Sequence, residues 1–346
     1  MPRLCCCPCR SGLLHALTFV MMLFSLPGWA DTSISSPESQ KFARIAEKAG
    51  TLPRTHTLLV AINGEIIIDR GYRGHRTDQT ANIKSLSKTL MSALTGAAID
   101  RGVIEGADQP LVELLATQQV PDDADPRVQD ITVGQLLSMQ AGLERTSGQH
   151  YGAWVASRHW VRDALARPFV DEPGGKMLYS TGNTHLLSAA LTHTTGHSTL
   201  ALMRDWLGAP LGITIPPWTR DPQGIYFGGN EMGLTPQALL RFGELYRQNG
   251  TMGDRAVLSP QWITQSWQPR THSFYNGDDY GYGWFISEIE GVAVYYGWGY
   301  GGQVLFVVPA RHMTIVLTSD PAPPSNGSYL RRIKTVVGDL IQATDE

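Results

Sequence analysis

Beyond residue 9 the chain contains no cysteine; its four, Cys5, Cys6, Cys7 and Cys9, all sit at the N-terminus. That absence excludes disulfides, a thiol nucleophile and cysteine-ligated zinc from the rest of the chain. Charge is also sparse, at 17% of residues and a formal net charge of −3, and no basic run is interleaved with aromatics. Nucleic acid is therefore not an expected partner. No apolar run reaches the roughly 20 residues that a membrane-spanning helix needs. The longest, Leu13 to Leu26, follows Arg3 and Arg10 and precedes Gly28-Trp29-Ala30. This order predicts a secretory signal peptide over residues 1–30, cut before Asp31. The expected product is an exported protein, periplasmic or secreted, with no membrane anchor once the leader and its cysteines are gone.

What remains, 31–346, is long enough for one large domain with a substantial core. A helix is expected near Phe42–Ala49, then two β-type runs, Thr57–Ile62 and Glu65–Asp69, joined by Asn63-Gly64. Asn-Gly is a strong hairpin signal because both turn positions need positive φ. From Ser85 to Arg101, Leu86, Leu90, Leu94, Ala97 and Ala98 recur at helical spacing, with Gly102 as the stop. Helical segments broken by Pro and Gly follow, including Thr184–Thr195 and Pro236–Gln248, the latter opened by Thr235-Pro236. The C-terminal part turns to strands, Tyr282–Ser287, Val292–Tyr296, Gln303–Val308 and Thr314–Thr318, before a last helix over Tyr329–Ile341. Strands at both ends around a helical middle predict an α+β fold, an α/β sandwich. One antiparallel sheet lobe, about 50–102 and 276–346, would be flanked by terminal helices. The second lobe, about 103–275, would be mainly helical.

Chemistry concentrates at Ser85-Leu86-Ser87-Lys88. Residues i and i+3 share a helix face, so Lys88 can reach the Ser85 hydroxyl. Serine needs an adjacent base to act as a nucleophile, and lysine serves once burial lowers its pKa. By itself S-x-x-K is also consistent with a capping serine and a solvated lysine.

Three further segments fall in order after it. Ile131-Thr-Val-Gly-Gln-Leu-Leu-Ser-Met-Gln-Ala-Gly-Leu143 resembles "ITxxxLLxHxSGL". Pro173-Gly-Gly-Lys-Met-Leu-Tyr-Ser-Thr-Gly-Asn-Thr-His-Leu-Leu187 resembles "PGxxFxYSNxGYxLL". Gly299-Tyr-Gly-Gly-Gln303 resembles "GHxG". With Ser85-Leu-Ser-Lys88 as S-x-[ST]-K, the chain resembles the serine β-lactamase/penicillin-binding superfamily, in its class C-like branch of esterases, D-amino-acid peptidases and amide hydrolases. The resemblance implies a β-lactamase/transpeptidase-like fold and an acyl-enzyme at Ser85, with Lys88 and Tyr179 handling protons. It implies an oxyanion hole from the backbone N–H groups of Ser85 and Gln303, and no cofactor. Thr181 stands where the family places Asn, with Asn183 as a candidate substitute, and Tyr300 stands where it places Lys or His. Gly301 and Gly302 complete the expected substrate-binding set. Loss of the third-motif cation points away from β-lactams and toward a carboxylic ester, a linear amide or a short peptide. Asp221-Pro-Gln-Gly-Ile-Tyr-Phe-Gly-Gly-Asn-Glu-Met-Gly-Leu-Thr-Pro236 leans toward the 6-aminohexanoate-oligomer hydrolase group. The competing readings are a penicillin-recognising D-amino-acid peptidase or weak β-lactamase, and a catalytically silent peptidoglycan-binding relative.

Other patterns carry less. Gly297-Trp-Gly-Tyr-Gly-Gly302 satisfies G-x-G-x-x-G, but a strand follows where a dinucleotide fold needs a helix; its glycines are expected to let substrate approach the strand edge. His185, His193 and His197 lack H-E-x-x-H spacing, so no metal is expected. Trp298 and Tyr300 are candidates for a cleft wall. Tyr151, Trp154, Trp160 and Tyr226 are expected in the core.

Overall fold

The computed structural model describes residues 37–323 and 327–345, and the predicted leader lies outside them. The described residues belong to one compact unit. Helix α1 (Pro37–Gly50) leads into the hairpin β1 (Thr55–Ile62) and β2 (Glu65–Gly71), then α2 (Ser87–Asp100), α3 (Thr181–Thr195) and α4 (Pro236–Arg247). The C-terminal part supplies β3 (Thr271–His272), β4 (Asp279–Tyr280), β5 (Phe285–Ile289), β6 (Val292–Gly299), β7 (Gln303–Val308), β8 (Met313–Ser319) and α5 (Gly327–Ala343).

The eight strands form one sheet in the order β2-β1-β8-β7-β6-β5-β4-β3, antiparallel throughout. Asn63 and Gly64 take φ of 53° and 84°, as their hairpin requires. Pairing of β1 with β8 closes the two chain ends into a single layer. Period-2 alternation then divides the core. Leu58, Val60, Phe306, Ile315 and Leu317 join Phe42, Ile333 and Val337 on the face covered by α1 and α5. Leu59, Ala61, Leu305, Val307 and Val316 face Leu94 of α2 and Leu239 and Phe242 of α4. Burial on both faces explains why Gln303–Val308 reads as an unbroken apolar run. Helix α2, packed between β6 of the sheet and α3, is buried along nearly its whole length.

Three boundaries differ from expectation. The strand expected from Tyr282 starts at Phe285, because Tyr282 and Gly283 are drawn onto α2. There Ser92 Oγ donates to Tyr282 O (2.6 Å) and Thr89 Oγ1 to Gly283 O (2.8 Å). The sheet also reaches back to Thr271, through two-residue strands too short to carry any sequence period. Finally, α3 begins at Thr181 rather than Thr184, which places the second motif at a helix start.

Candidate active site

Ser85 lies in a short 3-10 turn, Lys84–Leu86, that runs into α2. The turn is held in an unusual shape. Lys84 has φ of 51°, its N–H donates to Asn82 Oδ1 (3.0 Å), and Ser87 Oγ donates back to Lys84 O (2.6 Å). A left-handed lysine is strained and survives only where neighbours over-determine it. Ser85, next along this turn, lines a cleft of about 560 Å³.

One turn on, Lys88 is buried, with 1% of its surface exposed. Its ammonium nitrogen lies 3.1 Å from Ser85 Oγ, 3.2 Å from Thr181 Oγ1 and 2.7 Å from Gly229 O, and 5.0 Å from the Tyr179 ring centroid. None of these partners is a carboxylate, so no opposite charge offsets the cost of burying a cation there. Burial pushes the lysine from its ordinary value down to about 7. Tyr179, packed edge-on against Tyr280, moves the other way: burial raises its phenol, and the Ser85 hydroxyl offsets part of that rise. It stays a neutral phenol across the physiological range.

The start of α3 is fastened by a loop that no motif marks. Ser147 Oγ accepts from Thr181 N–H (2.8 Å) and lies 2.9 Å from Thr181 Oγ1. Thr146 likewise accepts from Gly182 N–H (2.7 Å). Thr181 thus retains a lysine contact despite replacing Asn. Asn183 does not substitute for it: two residues along a helix it points elsewhere, is buried, and lies outside the cleft lining.

The glycine-rich third segment serves a different neighbour from the one expected. A Cβ on Gly299 would fall 2.1 Å from Ile83 O, and one on Gly297 would fall 2.2 Å from Leu86 Cδ1. These glycines let β6 lie directly against the Ser85 turn, rather than making room for substrate. Gly301 and Gly302, at φ of 83° and 95°, turn the chain between β6 and β7 and pack against Pro321 and Tyr329. They also lie outside the cleft lining.

Gln303 is placed away from the cleft too. It is buried, pairs with Gly299 across the hairpin, and its side-chain amide binds Ser319 O (2.6 Å). Gly299 O accepts from Gly302 N–H, so Gly299 faces β7 and its neighbour Trp298 faces the opposite edge. On that edge β5 has already ended, at the Tyr296–Phe285 pair. Trp298 therefore stands where β6 has no strand beside it, and it lines the cleft with Tyr300.

Among the aromatics, Tyr151 also reaches the cleft, whereas Trp154 and Trp160 pack with Phe227 in the core. His185 belongs with that core group. Its Nε2 lies 3.1 Å from Asp221 Oδ2, with both side chains fully buried. Asp221 Oδ1 accepts N–H bonds from Gln223 and Ile225, both 2.9 Å. The pair ties α3 to the 221–229 loop, whose Gly229 carbonyl holds Lys88. Asp221→Ala would strip the His185 ring and the N–H groups of Gln223 and Ile225 of their acceptor, so it should cost about 1–3 kcal/mol for each buried group left unpaired. Urea unfolding of the variant checks this, and a loss under about 1 kcal/mol would show that the tether is not structural.

A family model for Beta-lactamase matches residues 54–337, most of the chain and every element of this site. The chain belongs to the Beta-lactamase family. Among its relatives is the 6-aminohexanoate-dimer hydrolase of Paenarthrobacter ureafaciens, 25% identical over 228 residues. That match takes in 60% of this chain and 56% of the relative, so the chain spans little more than half of that protein's length. The fold is shared with EstCE1, a hydrolase with promiscuous acyltransferase activity (TM-score 0.70, 18% identity, 87% of this chain and 99% of that one). It is also shared with a penicillin-binding protein homologue from Caulobacter crescentus (TM-score 0.68, 16% identity, 89% and 98%). Within this Beta-lactamase fold, no helix among the described residues is long and apolar enough to cross a membrane.

Proposed function

We propose that this chain is an exported serine hydrolase that cleaves a carboxylic ester or a linear amide through an acyl-enzyme at Ser85. The observation that carries the reading is a buried lysine, without a carboxylate partner among the described residues, poised near neutrality 3.1 Å from the serine hydroxyl. Deprotonated, Lys88 keeps two N–H donors for Gly229 O and Thr181 Oγ1 and turns its lone pair to Ser85. That is the form a general base requires.

Ser85 Oγ attacks the carbonyl carbon while its proton passes to Lys88. Negative charge develops on the former carbonyl oxygen. The N–H of Ser85, in a first helical turn where donors lack partners one turn back, can meet that charge. The N–H of Trp298 at the free edge of β6 is the second donor in this reading, in place of Gln303. As the tetrahedral adduct collapses, the C–O or C–N bond breaks and the leaving group takes the proton from Lys88 by way of the Tyr179 hydroxyl. A water then attacks the acyl-enzyme, losing its proton to the same base, and frees the acid and Ser85. The held-up phenol of Tyr179 fits a proton relay better than a phenolate base. Tyr300 in place of a third-motif cation favours ester or amide over β-lactam. The 6-aminohexanoate-dimer hydrolase named above supports the amide side.

Incubation with a fluorophosphonate and a fluorescent penicillin, followed by peptide mass spectrometry, tests this. Fluorophosphonate should label Ser85, and Ser85→Ala should lose both the label and p-nitrophenyl ester turnover. Penicillin labelling would move the assignment to a peptidase. No adduct and no turnover would remove the enzyme reading.

A further inference from the structure

Among the described residues three charged side chains line the cleft: Lys84, Glu231 and Arg145. Two of them neutralise each other. Lys84 Nζ lies 3.0 Å from Glu231 Oε1, and Glu231 Oε2 also accepts from Asn82 Nδ2 at 2.6 Å. Arg145 is different. Among the described residues no carboxylate is paired with it, and its contact is the ring of Tyr275, with the guanidinium carbon 5.6 Å from the centroid. The acid beside it in sequence, Glu144, is turned away and bonds Arg167 at 3.1 Å. The cleft thus presents one half-buried, uncompensated guanidinium. Around it stand Tyr151, Tyr275, Phe285, Trp298 and Tyr300, which offer apolar surface and almost no competing charge.

An arginine held in such a place costs solvation that a ligand can return. Its planar fork matches a carboxylate in two parallel hydrogen bonds, and the Tyr275 ring gives the guanidinium a cation–π neighbour that competes with neither. Arg145 sits on the loop that also carries Ser147, whose hydroxyl anchors Thr181, so its position is fixed relative to Ser85. We infer that Arg145 is a specificity-determining residue that binds a carboxylate on the substrate, so that the preferred ester or amide is an anion with an apolar body. This inference rests on the hydrolase reading above. It places the missing substrate-binding cation on the helical side of the cleft, opposite the third motif.

The test measures ratios of kcat/KM within two matched pairs. For a carboxylate on the acyl side the pair is mono-4-nitrophenyl adipate and 4-nitrophenyl hexanoate. For one on the leaving side it is 4-butyryloxybenzoate and its methyl ester. Wild type should favour the anionic member of one pair. Arg145→Gln should lower that anionic-to-neutral ratio by about 10- to 100-fold, as expected for a lost charge-assisted bond, and Arg145→Lys should restore part of it. A guanidinium that only props Tyr275 would make both members fall together and leave the ratio unmoved, which would overturn the inference. So would a wild-type enzyme without anionic preference in either pair. Failure of the hydrolase reading looks different: no member of either pair is turned over and fluorophosphonate does not label Ser85. Thermal melts of the two variants confirm that the ratios are read on folded protein.

Discussion

Lys88→Met is expected to abolish hydrolysis and, at the same time, to make the protein more stable. On the proposed mechanism the variant loses the base that takes the Ser85 proton, and turnover should fall by about 10⁴-fold. The gain in stability comes from the same fact that makes the lysine useful. Unfolded, Lys88 titrates near 10.5; folded, burial lowers it to about 7. Between those values the unfolded chain binds a proton that the folded chain does not, so stability rises with pH across this window. Below pH 7 the folded protein bears the full cost of the buried cation, at most about 5 kcal/mol for a displacement of this size. Methionine fills similar volume without charge. Leaving Gly229 O unpaired returns about 1–3 kcal/mol of that gain. The net expectation is a Tm roughly 2–6 °C above wild type at about pH 6, shrinking toward about pH 10. Calorimetry at the two pH values checks it, and a variant less stable than wild type at both would show that the lysine is not held at a cost. In the wild type, kcat/KM should climb about tenfold per pH unit up to about 7 and then level off.

Gly299→Ala should damage catalysis as well, by about 100-fold, without removing any side chain of the site. The new Cβ would stand 2.1 Å from Ile83 O and 3.1 Å from Gln303 Cβ. Ile83 is backbone leading into the nucleophile turn, anchored by its N–H to Met232 O (2.9 Å), and it has little room to yield. Relief requires β6 and the Ser85 turn to part, and a shift of about 1 Å between a nucleophile and the edge opposite it costs about 100-fold in rate. Overpacking of this kind should also cost about 1–3 kcal/mol of stability. Gly106→Ala, where a Cβ meets nothing within 4 Å, is the matched control. Equal kcat/KM for the two variants would show that β6 need not touch the turn.

Much of the fold is legible in the order of residues alone. The Asn63-Gly64 turn, the Ser85–Arg101 helix and Gln303–Val308 carry local signals, of turn chemistry or hydrophobic period, that tertiary packing leaves intact. Gly283 shows where such signals stop. At φ of 76° it lets the chain bend onto α2, so Tyr282 is lost from a strand that its residue type favours. The short β3 and β4 have no period to read, so the sheet begins upstream of where residue types predict it.

The site divides along the same line. Sequence by itself determined that Ser85 and Lys88 share a helix face, because i and i+3 are neighbours whatever surrounds them. It also placed Tyr179 and the glycine-rich segment in the family's order. Only the tertiary structure decided what those residues meet. Ser147 reaches Thr181 across 34 positions of chain, Gly229 reaches Lys88 across 141, and no spacing encodes either contact. The glycines before Gln303 are visible as glycines, but their purpose depends on a carbonyl at Ile83, far upstream in the chain. Gln303 itself is held away from the cleft lining by its pairing with Gly299, which fixes the N–H directions along β6 and β7 together. Identity and local spacing are properties of the chain; burial, and with it the lowered basicity of Lys88 and the placing of Arg145 over Tyr275 in the cleft, belongs to the fold.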